Sequence, residues 1–348
     1  MSVPIEMFTT PSSSAEAGEL ARLAEELGFD GWYTGETGFD SFVASTVAAM
    51  STSKIRLGTS ITLAFARNPM TVAYAANDLQ SLSGGRFFLG LGSQIRQHIE
   101  RRFSMPWSDP VARMSDYIDA LYAIWTSWEN EEPLAFEGEF YKHDLMPPFF
   151  RGQRHGYGRP EVGVAGVGRK MTELAGRKAD ALLAHPFGTS KFVKEFTRPW
   201  LDQGIKDAGR DPSEVALIAN VFVVTGKTEE EYDRLDRATR NQIAFYASTP
   251  TYRDVLAVHG WEDLQEDLRA MTRRGLWDEM AGQITDEMLR EFAIVTDDVA
   301  EIAPAIDARL GTMVDRVMLS QFWRPSAEDV AVIQETAKSI RPGPTSKS

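Results

Sequence analysis

Short β-branched or aromatic runs alternate with longer segments whose apolar residues recur at helical spacing, and this alternation persists along nearly the whole chain. A chain patterned this way buries both kinds of element by stacking βα units around a parallel sheet. The strands read as Ile5–Thr9, Trp32–Thr34, Ile55–Leu63, Phe87–Gly90, Glu161–Ala165, Ala181–His185, Val215–Thr225 and Asp315–Leu319. Ser12–Ser14 offers N-caps for a first helix whose inward stripe is Leu20, Leu23, Ala24 and Leu27 and which Gly28 stops. Pro69 opens a helix carrying Val72, Ala76 and Leu79, and further helices fall over Phe42–Met50, Pro110–Trp125, Lys170–Arg177, Ser190–Ala208 and Ser326–Ile340. Strand–helix alternation of this length, in 348 residues against the roughly 250 typical of the fold, predicts an α/β chain folded as a (β/α)8 TIM barrel with insertions. An open doubly wound sheet is the alternative.

The surplus sits in Glu129–Tyr157, after strand four, and in the mostly helical Phe245–Phe292, between strands seven and eight. Both are candidate pocket walls or lids. Within the first, Phe136-Glu137-Gly138-Glu139-Phe140-Tyr141 alternates like a hairpin around a glycine. Residues 1–340 read as one domain and 341–348 as a disordered polar tail.

A net charge of −13 without a basic run longer than two residues disfavours nucleic acid as a partner. The absence of cysteine removes disulfides, thiolate metal sites and cysteine nucleophiles. The N-terminus has no signal-peptide pattern and no stretch reaches 18 apolar residues, so the expectation is a cytoplasmic protein without a membrane segment.

Because barrel active sites lie at the carboxyl ends of strands, position narrows the search more than residue type does. After strand two, Gly35-Glu36-Thr37-Gly38-Phe39-Asp40 presents Glu36, while Asp40 reads as the cap of the next helix. Strand three ends in an apolar run with interspersed hydroxyls, Gly58-Thr59-Ser60-Ile61-Thr62. Strand four runs into Gly90-Leu91-Gly92-Ser93-Gln94, with His98 one turn further on. The strongest physical case is Val164-Ala165-Gly166-Val167-Gly168-Arg169, where a small-residue loop meets a helix start and offers backbone N–H groups to a phosphate. His185, at the end of strand six, lies next to that loop in a barrel. The five histidines form no zinc-binding spacing, so no metal is expected, and no Gly-x-Ser-x-Gly elbow is present.

Six stretches go further when taken together: Leu27-Gly28-Phe29-Asp30-Gly31-Trp32, Ile55-Arg56-Leu57-Gly58-Thr59-Ser60-Ile61, Asn68-Pro69-Met70-Thr71-Val72-Ala73, the run from Leu82 to Gly92, the hairpin above, and Val164-Ala165-Gly166-Val167-Gly168. With these pieces in this order the chain resembles, over nearly its whole length, the bacterial-luciferase-like flavin-dependent oxidoreductases. Within them it resembles the branch that uses the deazaflavin coenzyme F420.

The resemblance implies a barrel that holds its cofactor at the carboxyl face, with the phosphate on Ala165, Gly166, Val167, Gly168 and Arg169 and with His185 nearby. It implies a non-prolyl cis peptide at Ser60–Ile61, a bulge supporting the ring from behind. Ser60, Ile61 and Thr62, with Ser93, Gln94 and His98, would then line the ring. The deazaflavin sugar-phosphate dehydrogenases carry Asp-His after strand two, whereas this chain has Glu36-Thr37, so Glu36 or His98 would take over proton handling. The activity implied is hydride transfer between F420 and a small, largely apolar molecule, in a pocket walled by Phe39, Phe65, Tyr246 and Trp323. The alternatives are an FMN-dependent two-component monooxygenase, served by a separate reductase, and a non-catalytic flavin-binding protein. Homodimers are common in the family.

Overall fold

The computed structural model describes residues 2–319, 322–340 and 343. Its strands are β1 (Ile5–Thr9), β2 (Gly31–Thr34), β3 (Arg56–Thr59), β4 (Thr62–Leu63), β5 (Phe87–Gly92), the hairpin β6 (Phe136–Glu137) and β7 (Lys142–His143), β8 (Glu161–Gly166), β9 (Ala181–Ala184), β10 (Ala216–Val224), β11 (Ala293–Val295) and β12 (Arg316–Leu319). The sheet runs β1-β2-β3-β5-β8-β9-β10-β12, parallel throughout. It closes on itself, because Ile5 and Met7 of β1 lie beside Val317 and Leu319 of β12, and Ala216–Ala219 pairs with Ala181–Ala184. The fold is therefore the (β/α)8 barrel and not the open doubly wound sheet.

The barrel interior is filled by two aromatic rings rather than by layers of aliphatic residues alone. Tyr33 and Phe88 meet edge to face, 5.7 Å between centroids, surrounded by Ala181, Leu183, Ala216, Ile218 and Met318. They fit because their neighbours lack side chains: a Cβ on Gly58 would lie 2.2 Å from the Tyr33 ring, and one on Gly163 would lie 2.4 Å from Phe88. Below them the buried Glu6 accepts the Tyr33 hydroxyl at 3.1 Å and faces Arg316 at 3.9 Å, while Arg56 and Glu161 pair at 2.6 Å. Arg56, Glu161 and Arg316 each begin a strand, so a charged layer closes the end of the barrel opposite the strand termini. The larger core lies outside the ring, between strands and helices, and includes Trp32, Leu57, Leu89, Val162, Leu182 and Val317.

The helices are α1 (Ser14–Leu27), α2 (Ser41–Ser51), α3 (Pro69–Leu82), α4 (Arg96–Arg101), α5 (Pro110–Asn130), α6 (Arg169–Lys178), α7 (Ser190–Phe192), α8 (Arg198–Asp207), α9 (Glu229–Ala247), α10 (Arg253–Ala257), α11 (Glu262–Arg273), α12 (Asp286–Phe292), α13 (Ile302–Leu310) and α14 (Ala327–Ala337). Ser13 caps α1 and Gly28 ends it at φ 89°, as read from sequence. Of the expected inward stripe of α1, Leu20 and Ala24 are buried and Leu27 is half-buried against the core, but Leu23 is 37% exposed, and Ala17, Gly18 and Ala21 complete the packed face. Gly18 sets this face, since a Cβ there would meet Ser51 and Val47 of α2 within 2.8 Å. The helix expected over 190–208 is divided by a π-helical turn at Val193–Thr197, just before Pro199, whose missing N–H cannot continue the α ladder.

Strand three is interrupted. The expected Ile55–Leu63 run splits into β3 and β4 at a cis peptide bond between Ser60 and Ile61. The strand β11, absent from the sequence reading, pairs with Phe222–Val224 and extends β10 past the ring. Three isolated apolar residues between two helices carry too little periodicity to announce a strand.

The two insertions go to different places. The first runs back over the outer wall, where Asp116 of α5 accepts the N–H groups of Phe140 (2.7 Å) and Tyr141 (2.9 Å) and Asn77 of α3 donates to the Gln153 carbonyl (3.0 Å). The second brings Tyr246 and Tyr252 onto His185 at the end of β9. Of the expected tail, 341–348, only Gly343 is among the described residues; it is buried, and its N–H donates to the Val314 carbonyl.

Gly163→Ala should cost about 1–3 kcal/mol by overpacking against Phe88. Adding Phe88→Leu should return part of that loss, a non-additivity readable from urea denaturation of the single and double variants.

Candidate active site

The strand ends converge on one mouth, and the bulge at strand three forms its most ordered wall. The Ser60 N–H donates to the Thr34 carbonyl at 2.8 Å, and the Ile61 carbonyl accepts from the Glu36 N–H at 3.1 Å. Ile61 lies over Gly92, where a Cβ would sit 2.2 Å from its Cδ1. Ile61, Phe8 and Ala165, all half-buried, cap the aromatic plug below and make the floor of the mouth apolar. Ser60 is likewise half-buried. Thr62 is fully buried, with its hydroxyl 2.8 Å from that of Ser41, so it fixes the bulge to α2 and does not line the mouth.

Glu36 is held behind this bulge. Its side chain is only 5% exposed, and both oxygens accept from Arg67 Nη1 at 2.9 Å. Oε2 also accepts the Leu63 N–H (3.1 Å) and the Ser41 hydroxyl (3.3 Å). Nη2 of Arg67 pairs with Asp40 at 2.6 Å, and Asp40 caps α2 through the N–H groups of Phe42 and Val43, as expected. Burial works against the Arg67 charge, yet the two carboxylates outweigh it and raise its pKa. The carboxylate expected to face the substrate thus clamps the loop to the strand.

After β5, Ser93 and Gln94 are half-buried at the rim. Gln94 has φ 59°, in the left-handed region, and its side chain accepts the N–H of Ile95 at 2.9 Å. His98 is exposed on α4. Further along, Arg102 reaches the Thr37 carbonyl at 2.6 Å and ties this segment to the loop after β2.

At β8 the loop and helix start have the form expected of an anion site. Gly168 is the N-cap of α6 and no side chain caps the helix. A Cβ on Gly168 would meet nothing within 4 Å, so the approach to the first-turn N–H groups is open. Arg169 turns away, pairing with Glu173 one turn on at 2.6 Å. The backbone, rather than that guanidinium, is the available donor set.

His185 continues the inward series of Ala181 and Leu183. Its Nδ1 accepts the N–H of Phe187 at 3.2 Å and its Nε2 lies 3.3 Å from the Tyr252 hydroxyl. The ring packs on Tyr246 (4.5 Å) and Tyr252 (4.8 Å), and burial among them pushes the imidazole down to about 3, so it is neutral. Burial also raises Tyr246, and Tyr252 up to about 12. Of the expected aromatic walls, Tyr246 belongs to this cluster and Phe39 is half-buried. Phe65 is fully buried between Trp107 and Arg113, and Trp323 is 4% exposed, so both are core.

Phe8, Asn220 and Tyr252 were not singled out from sequence. Phe8 follows Glu6 on the inward face of β1, and Asn220 is a lone half-buried amide following Ile218 in an otherwise apolar strand. That alternation was the available signal for both. Nothing local marks Tyr252, which arrives from 67 residues beyond His185. Among the described residues no group of His, Asp or Glu is placed to hold a metal ion, and no helix is long and apolar enough to cross a membrane.

Residues 3–316 match the family model described as luciferase-like monooxygenase, and the chain belongs to that family. An uncharacterized protein of Mycobacterium tuberculosis is 46% identical over 308 residues, covering 88% of this chain and 90% of its own. A 5,10-methylenetetrahydromethanopterin reductase of Archaeoglobus fulgidus is 28% identical over 295 residues, 80% of this chain and 82% of its own. Among solved structures, the coenzyme F420 dependent tetrahydromethanopterin reductase from Methanopyrus kandleri superposes with a TM-score of 0.78 at 21% identity, covering 97% of this chain and 98% of its own. An F420-dependent secondary alcohol dehydrogenase, solved with an F420-acetone adduct, gives 0.75 at 19% identity over 98% and 100%. At these identities the superpositions establish the fold.

Arg67→Met, which strands a buried carboxylate, should cost about 3–5 kcal/mol, and adding Glu36→Gln should recover part of it in chemical denaturation. His185 adds a pH dependence of definite sign. Its folded pKa of about 3 lies below the ordinary 6.5, so the unfolded chain binds the extra proton between these values. Its contribution is complete above the upper value and is lost as pH falls toward the lower one. From about pH 7 to about pH 4 the wild-type melting temperature should therefore drop more steeply than that of His185→Gln; parallel curves would mean that the ring is not buried neutral.

Proposed function

We propose that this protein is an F420-dependent oxidoreductase that passes a hydride between the deazaflavin and a small, largely apolar organic molecule. The observation that carries this reading is the uncapped start of α6, open above Gly168, on the same face as the Ser60–Ile61 bulge and its apolar floor. A phosphate-bearing cofactor with a flat ring fits that pair of features. The first-turn N–H groups of α6 and the loop Ala165–Gly168 would hold the phosphate, while Ser60 and Ile61 would back the ring beside Ser93 and Gln94. Arg169 is assigned no contact, because Glu173 holds it. The bound coenzyme supplies two-electron hydride chemistry; the protein contributes orientation and a site shielded from water.

The relatives support the deazaflavin, since the reductase and the alcohol dehydrogenase structures are both described as F420 dependent. The family description as a monooxygenase favours oxygenation, with FMN as the cofactor, as the second reading. Fluorescence titration with F420 and with FMN separates the two. Gly168→Glu, which has space for its side chain but places a carboxylate at the helix start, should weaken F420 binding by at least about tenfold, or about 1.4 kcal/mol. Preference for FMN would overturn the deazaflavin reading. Binding of F420 without turnover of any organic substrate would leave a non-catalytic flavin-binding protein.

A further inference from the structure

Hydride addition to a polar double bond leaves a charge that some group must neutralise, and the two residues expected to do so are unsuited. Glu36 is clamped by Arg67, Leu63 and Ser41, and His98 is exposed on α4. The end of β9 offers a different pair. We propose that Tyr252 donates the proton to the oxygen of a ketone or aldehyde substrate, and that His185 is the positioning residue that holds its hydroxyl in place. This rests on the hydride-transfer reading above and names the substrate class of that same site.

The geometry fixes the direction of each hydrogen bond. His185 Nδ1 accepts the Phe187 N–H at 3.2 Å, so the neutral ring carries its proton on Nε2. Nε2–H then donates to the Tyr252 oxygen, 3.3 Å away. A phenol oxygen that accepts this bond keeps its own O–H for another acceptor, and among the described residues the hydrogen bond of this hydroxyl is the one to His185. Tyr246, the other phenol of the cluster, packs on the same imidazole at 76° but makes no hydrogen bond to it, and Phe187 stacks on Phe292 behind. Tyr252 is thus the one hydroxyl of this cluster oriented by a histidine. The surrounding rings provide flat apolar surface for a carbonyl carried on an aromatic or aliphatic body.

The step balances. The carbonyl carbon gains the two electrons and hydrogen of the hydride that reduced F420 supplies, and the C=O π bond breaks toward oxygen. That oxygen takes the Tyr252 proton, giving the alcohol. The phenolate left behind is stabilised by the His185 Nε2–H and regains its proton from solvent. Burial raises the Tyr252 pKa to about 12, yet an alkoxide, comparable in basicity to hydroxide (water's pKa is about 15.7), still draws the proton from it.

The test uses the full chain with reduced F420 and three probes, acetophenone, cyclohexanone and benzaldehyde, followed by the return of oxidised-cofactor absorbance in single turnovers. Tyr252→Phe should bind F420 as the wild type does and slow carbonyl reduction by about 100-fold, the lower range for loss of a general acid. His185→Leu should slow it by about tenfold, while His185→Gln, whose amide can still donate to the phenol, should recover most of the rate. Independently of turnover, nitrogen-15 NMR of the cofactor-free protein should find His185 as the Nε2–H tautomer at neutral pH. Undiminished turnover in Tyr252→Phe, an imidazolium or Nδ1–H tautomer, or F420 binding without reduction of any probe would each overturn the proposal while leaving the cofactor assignment standing. Failure of the wild type to bind F420 would overturn both.

Discussion

Closure of the parallel sheet is the constraint on which the rest of the molecule depends. Once β12 pairs with β1 and β9 with β10, every strand end is brought to one rim, and residues as far apart in sequence as Phe8, Ile61 and Ala165 become a single floor. Closure also dictates what the interior can hold. A ring this narrow accommodates Tyr33 and Phe88 only because Gly58 and Gly163 give up their side chains, so those glycines are packing residues rather than turn residues. The charged layer of Glu6, Arg56, Glu161 and Arg316 seals the opposite end, and the chemistry is left with one open face.

On that face, charges are used mainly to hold shape. Glu36, Arg67 and Asp40 form one buried-to-exposed chain that fastens the loop after β2 to the bulge after β3. The cost of desolvating Glu36 is offset by four hydrogen bonds from three donors, Arg67 Nη1, the Leu63 N–H and the Ser41 hydroxyl, which leave both of its oxygens occupied. The neutral polar groups are the ones left over: the backbone at α6, the Ser60 and Ser93 hydroxyls, the Asn220 amide, and the His185–Tyr252 pair. An apolar floor with uncharged donors around it is what the proposed hydride transfer to an apolar molecule would use.

Much of this was legible in the chain. Period-two and helical spacing gave strand and helix positions, because each element buries a face whose periodicity is written locally. The caps at Ser13, Asp40 and Gly28 were readable for the same reason, since a cap acts over three or four residues. The small-residue stretch 165–168 announced a helix start with uncapped backbone N–H groups, a feature that needs no distant partner. Leu23 was misplaced because Gly18 rotates the packed face of α1 toward α2, a consequence of how closely two helices approach. The first insertion follows α5 and is drawn onto the outer wall by Asp116 and Asn77, whereas its place after a barrel strand suggested a pocket wall or lid.

The sequence by itself determined the architecture and the segments that gather at the carboxyl ends of the strands: repeated βα periodicity, the Ser60–Ile61 region, and the glycine loop before α6. Only the tertiary structure decided which side chains are free to act there. Whether Glu36 meets a substrate or an arginine depends on Arg67, 31 residues away, and whether His185 has a partner depends on Tyr252, 67 residues away. Ion pairing and burial are properties of neighbours in space, and a carboxylate or imidazole carries no local mark of the neighbours that closure of the barrel will give it.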